Sequence, residues 1–124
     1  MSEPPVALTI AGSDSGGGSG LQADLRTFAA HSVHGVCAVT AVSAQNTEEF
    51  RSVLSIPKKE LEAQIEAVLH DFDVKATKTG LLLSEENIQL IAKMAEAGVL
   101  PQLVIDPVMV DRHGELLYHP DLVR

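Results

Sequence analysis

The sequence predicts an α/β fold: three layers, α/β/α, around a mostly parallel sheet. Three observations predict it. Short apolar or β-branched runs recur at residues 6–10, 36–42, 74–79 and 103–105, the length of buried strands. Segments with helical spacing separate them, so the order β-α-β-α-β-α-β implies a sheet built with right-handed crossovers. Aromatic residues make up only 3% of the chain, so the core must be Leu, Val, Ile and Ala, which suits parallel strands beneath helices.

The first run, VALTI, empties into a turn of small residues over 11–20 that holds five of the nine glycines. Glycines let backbone N–H groups come close to a ligand, and a following helix N-terminus favours negative charge. Ser13, Asp14 and Ser15 add polar groups that a pocket can use. Leu21, Leu25, Phe28 and Ala29 then share one helical face, and this helix should fade near Ser32. Residues 36–42 form a second buried strand, whose end delivers Ser43, Ala44, Gln45, Asn46 and Thr47.

Residues 50–56 suit either a short strand or an extended link. Pro57 fits the start of a helix over 58–72, with Leu61, Ile65, Val68, Leu69 and Phe72 turned inward. Residues 74–79 form a short strand that runs into Lys78, Thr79 and Gly80. Ser84 caps the next helix, and Glu85 and Glu86 complement its dipole. Ile88, Ile91, Ala92 and Ala95 supply its inner face, and Gly98 stops it. Residues 103–105 make a further buried strand that ends in Asp106, Pro107, Val108, Met109 and Val110. A polar turn over 111–114, a short strand over 116–118 and a helix starting at Pro120 complete the reading.

Composition excludes several classes of function. Nine basic and 17 acidic residues give a net charge of −8. With no basic stripe and no stacking aromatics, nucleic acid is not an expected partner. One cysteine, Cys37, cannot form an intramolecular disulfide, and no Cys/His metal cluster is visible. The opening MSEPPVALTI lacks the basic and long apolar regions of a secretory signal. No apolar run approaches the roughly 20 residues that span a bilayer. A cytoplasmic setting, away from membranes, is expected.

Neither common nucleotide motif fits the glycine-rich turn. Leu21 stands where GxGxxG needs its last glycine, and Gly18 stands where GxxxxGK[ST] needs lysine. The stronger signal is collective. Four strand ends deliver polar or glycine groups, and in a parallel sheet those ends share one rim, so a ligand pocket is expected there.

The segments AGSDSGGGSGLQADLRTFAAHSVHG, TAVSAQNT, KTGLL and IDPVMV, in this order and spacing, closely resemble the hydroxymethylpyrimidine/phosphomethylpyrimidine kinase family of thiamin biosynthesis, of the ribokinase-like superfamily. Pyridoxal kinases share the architecture but resemble the first segment less. The resemblance implies a ribokinase-like fold in which residues 1–124 are the N-terminal half of one kinase domain. It implies ATP and Mg²⁺ as cofactors and transfer of the γ-phosphate to a hydroxymethylpyrimidine and then to its monophosphate. Gln45 would hydrogen-bond the aminopyrimidine, as an amide that both donates and accepts. Gly12, with residues 13–18, would close around the hydroxymethyl end. Asp24 matches an aspartate near the substrate, its alternative being a helix-surface carboxylate. Val42, Leu81 and Val108 match apolar positions around the ring, or else pack in the core. Asp106 would lie near phosphate and magnesium, its alternative being a cap on the following turn. The metal ligands themselves are not assigned.

The family's second glycine-rich segment, its hydroxyl-activating group and most of its adenine site have no counterpart in these residues. Catalytic residues are therefore expected beyond Arg124, and the isolated half is expected to be inactive. Arg112 and His113 depart from the family pattern. A missing C-terminal half or a homodimer partner is expected. The other readings are a non-catalytic pyrimidine-binding fragment and a pyridoxal kinase-like enzyme.

Overall fold

The computed structural model describes residues 3–110. The turn, strand and helix expected over 111–124, with Arg112 and His113, lie outside the described residues. Strand β1 (Val6–Asp14) is buried along nearly its whole length. It lies between two parallel neighbours, β2 (His34–Gln45) and β4 (Val74–Thr79), and β5 (Leu103–Ile105) extends the parallel set beyond β4. Strand β3 (Phe50–Ser55) runs antiparallel along the end of β2, giving the order β3-β2-β1-β4-β5. The link before β3 is too short for a parallel crossover, which needs a dozen or more residues. The Asn46 side chain tightens it, its Oδ1 accepting from the N–H groups of Glu48 and Glu49 at 2.8 and 2.9 Å.

Helix α1 (Gly20–Ala30) packs on one face of the sheet, and α2 (Lys58–Asp71) and α3 (Glu85–Glu96) pack on the other. The alternation of β1 sets these layers. Leu8 and Ile10 join Leu61, Ile65, Leu90 and Ile91 in the core. Thr9, between them, turns to α1 and donates to Asp24 at 2.6 Å. The three-layer α/β/α architecture is thus the one expected, with one antiparallel edge strand. That edge is protected further back by Gln64 of α2. Its amide accepts from the N–H of Val39 at 2.8 Å and donates to the Val39 carbonyl at 3.0 Å.

Several local expectations change. β1 runs to Asp14 rather than stopping at Ile10, and β2 runs to Gln45 rather than Val42, because the ladder continues past Gly12 through Ser13–Val42 and Asp14–Ser43. The inner face of α3 is Asn87, Leu90 and Ile91, while Ala92 is exposed. Asn87 turns inward because its Nδ2 donates to the carbonyls of Ile56 at 3.1 Å and Leu82 at 3.4 Å. Ser84 caps α3 as expected, accepting from the Asn87 N–H at 3.1 Å. Ala29 faces solvent. Phe72, just past α2, is partly exposed and stacks on His34 with ring centroids 5.8 Å apart. β5 is not a buried strand: Val104 and Ile105 are 62% and 63% exposed, since β5 pairs on one side only among the described residues.

Candidate functional site

The carboxyl ends of the parallel strands surround a cavity of about 560 Å³, within the size range of small-molecule sites. Its floor and walls come from every outlet singled out in the sequence. Of the expected site residues, Gly12, Asp24, Gln45, Leu81, Asp106 and Val108 line it. Val42 does not. Its neighbours Ala41 and Ser43 line the cavity, so the pleat turns Val42 to the opposite face, where it is about half exposed. Phe50 and Val53 of β3 also line the cavity. The sequence assigns them no role: Phe50, Val53 and Leu54 do not alternate, so the period of a half-buried strand is missing there.

The glycine-rich turn is built around Asp14. Its Oδ1 accepts from the Gly16 N–H at 2.8 Å, and its Oδ2 accepts from the N–H and the hydroxyl of Ser19, each at 2.9 Å. Burial acts to raise the Asp14 pKa. The hydrogen bonds from the Ser19 hydroxyl and from the backbone of Gly16, Ser19 and Gly18 together outweigh it and hold the carboxyl below its usual range. The turn then enters α1 through Gly20, at φ +65°. A Cβ there would stand 2.4 Å from the Gly12 carbonyl oxygen, so only glycine lets α1 begin this close to β1.

A second network joins the ends of β1 and β2. The Gln22 side chain accepts from the Asp14 N–H at 2.9 Å and donates to the Ser13 hydroxyl at 2.7 Å. The Ser43 hydroxyl donates to the Ser13 carbonyl at 2.7 Å and accepts from Gln45 Nε2 at 2.8 Å. Ser15 fixes the Gln45 backbone by accepting from its N–H at 2.8 Å and donating to its carbonyl at 2.5 Å. Gln45 is therefore held at both its main chain and its side chain.

On the opposite wall, Lys78 forms a two-pronged ion pair with Asp24 at 2.9 and 3.1 Å. Thr9 donates to the same carboxylate. Asp24 is thus no free surface carboxylate: its side chain is 18% exposed and has two partners. Asp106, on the rim, has no ion-pair partner among the described residues. No group of three His, Cys, Asp or Glu side chains that could hold a metal ion occurs among the described residues. Burial pushes the Cys37 thiol up, which keeps it protonated and unreactive at neutral pH. No described helix is long and apolar enough to cross a membrane.

The chain has clear relatives. A family model described as phosphomethylpyrimidine kinase matches residues 14–124. The hydroxymethylpyrimidine/phosphomethylpyrimidine kinase of Synechococcus elongatus is 53% identical over 113 residues, 91% of this chain and 43% of that protein. The enzyme of the same name from Rhizobium meliloti is 46% identical over 119 residues, 95% of this chain and 44% of that protein. Among solved structures, a phosphomethylpyrimidine kinase from Clostridium difficile 630 superposes with a TM-score of 0.87 at 42% identity, covering 96% of this chain and 52% of that one. An ADP complex of Bacillus subtilis pyridoxal kinase gives a TM-score of 0.79 at 40% identity, covering 89% and 43%. The chain spans about half or less of the length of these relatives.

Proposed function

We propose, on the premise that this chain belongs to the phosphomethylpyrimidine kinase family, that its cavity holds the ring of 4-amino-5-hydroxymethyl-2-methylpyrimidine. The observation that carries this reading is convergence. Gly12, Gln45, Leu81, Asp106 and Val108, from four strand ends, and Asp24, from α1, meet around one cavity. Gln45 offers the ring edge an amide, Leu81 and Val108 offer apolar walls, and Gly12 leaves room beside the glycine-rich turn. The reaction of the complete kinase would then be transfer of the ATP γ-phosphate to the hydroxymethyl oxygen, followed by transfer to the monophosphate.

The donor set fits a magnesium ion held lightly. Mg²⁺ takes one or two carboxylates and fills its remaining positions with phosphate and water oxygens. Asp106 is a rim carboxylate available for that. When bound, the ion neutralises charge on the phosphates. Phosphoryl transfer is mostly positioning and charge neutralisation, and the lysine in this cavity, Lys78, is already committed to Asp24. We therefore assign the catalytic step to the complete kinase, in which this segment is joined to a C-terminal half.

Calorimetric titration of the chain with the aminopyrimidine tests the reading. Binding should be saturable, and Gln45→Ala should weaken it by about tenfold or more, as expected for loss of a paired amide. With ATP and magnesium added, the chain alone should give no turnover. Undiminished binding by Gln45→Ala would overturn the site. Turnover by the chain alone would overturn only the assignment of catalysis to the larger protein. The similarity to pyridoxal kinases supports a second reading, with pyridoxal as the ring; tighter binding of pyridoxal than of the aminopyrimidine would favour it.

A further inference from the structure

We propose that Ser43 fixes the hydrogen-bonding polarity of the Gln45 amide, so that the cavity selects a 4-amino ring edge over a 4-oxo one; this rests on the reading that Gln45 meets the pyrimidine. Ser43 is 7% exposed, and its hydroxyl touches two groups. It lies 2.7 Å from the Ser13 carbonyl oxygen and 2.8 Å from the Gln45 side-chain amide. A carbonyl can only accept, so the single hydroxyl hydrogen goes to Ser13. The Ser43 oxygen is left as an acceptor, and Gln45 must meet it with N–H.

The anchor is itself held. The Ser13 hydroxyl takes a hydrogen bond from Gln22 at 2.7 Å, and Ser15 grips the Gln45 main chain. With Nε2 turned to Ser43, Gln45 has its Oε1 and one remaining N–H to offer a ligand. That pair matches an edge with a donor beside an acceptor, as in an exocyclic amine next to an unprotonated ring nitrogen. A 4-oxo ring presents the reverse: a carbonyl beside a ring N–H. To receive it the amide would have to flip. Its Oε1 would then face the Ser43 oxygen, two acceptors with no hydrogen between them, or the Ser13 carbonyl would lose its donor. A buried mismatch of this kind carries the full desolvation penalty of the unpaired group.

Titration of the full chain with 4-amino-5-hydroxymethyl-2-methylpyrimidine and with its 4-oxo counterpart tests this. Wild type, Ser43→Thr and Ser43→Val are compared. Threonine and valine have the same shape and differ in the hydroxyl alone, and thermal melts verify that each variant is folded. Ser43→Ala serves as a second hydroxyl-free variant if valine does not fold. Wild type and Ser43→Thr should prefer the amino ring, and loss of the hydroxyl should cut that preference about tenfold. An unchanged preference in the hydroxyl-free variant, with the amino ring still bound, overturns the role of Ser43 and leaves the role of Gln45 intact. Binding of neither ring by wild type overturns the underlying reading, and this proposal with it.

Discussion

Asp14 shows how one side chain can organise a whole turn at the edge of a cavity. Three hydrogen bonds to Gly16 and Ser19 make its ionised carboxylate the hub of the glycine-rich turn. Its folded-state pKa is lowered despite burial. A lowered carboxylate stabilises the fold fully above the unfolded value of about 3.9, and that contribution is lost as pH falls through the folded value. Urea midpoints measured from pH 7 down to pH 2 should therefore drop more steeply in wild type than in Asp14→Asn. Equal slopes would show that the carboxylate is not the hub. The sequence made Asp14 visible as a polar residue in a turn. It could not reveal that the carboxylate faces back into its own loop, because that depends on where Gly16 and Ser19 fold. Gln45 was more legible, since an amide at the end of a buried strand has few destinations other than the rim.

At the level of elements, two glycines divide the labour. Gly20 holds a positive φ, and its missing Cβ makes room for the Gly12 carbonyl at 2.4 Å. Gly20→Ala should destabilise the chain by roughly 1–3 kcal/mol from backbone strain alone, read as a lowered urea midpoint. At Gly12 the nearest atoms to an added Cβ are Leu81 and Ala41 at 3.6–3.8 Å, an ordinary contact distance. Gly12→Ala should leave the urea midpoint nearly unchanged and weaken ring binding, because its methyl enters a cavity wall. The sequence puts both glycines in one turn and does not separate them, since Gly12 proves to lie within β1 and Gly20 to start α1. Strand ends were the least legible feature generally. β1 and β2 each continue past their apolar runs because they hydrogen-bond to each other there, and partners are invisible in a single chain of letters. Residues 50–56 suit either a strand or a link for the same reason: the partner of β3, the end of β2, cannot be read from its own letters.

For the molecule as a whole, the sheet separates scaffold from site. The α2/α3 face holds Leu8, Ile10, Leu61, Ile65, Leu90 and Ile91, and the α1 face holds Thr9, Asp24 and Lys78 beside the cavity. Ile65 is fully buried on the scaffold face. Ile65→Ala should cost about 2–5 kcal/mol, a large share of a typical domain's roughly 5–15 kcal/mol. The folded fraction should still bind the ring as wild type does. Calorimetry below the urea transition checks this, and a parallel loss of affinity would mean that the two faces are not independent. The layer order was legible from periodicity. The shared rim was legible from the order of strands and helices. The exposure of β5 was not, because an apolar triplet looks the same at the middle of a sheet and at its border.

The Gln64 side chain has a last implication. By occupying both hydrogen-bonding groups of Val39, it denies that stretch of β2 to any foreign strand, which an exposed sheet margin would otherwise recruit. One amide thus guards the edge of β2 at Val39, just before the stretch that β3 pairs with. β3 is six residues long, and it brings Phe50 and Val53 to the cavity.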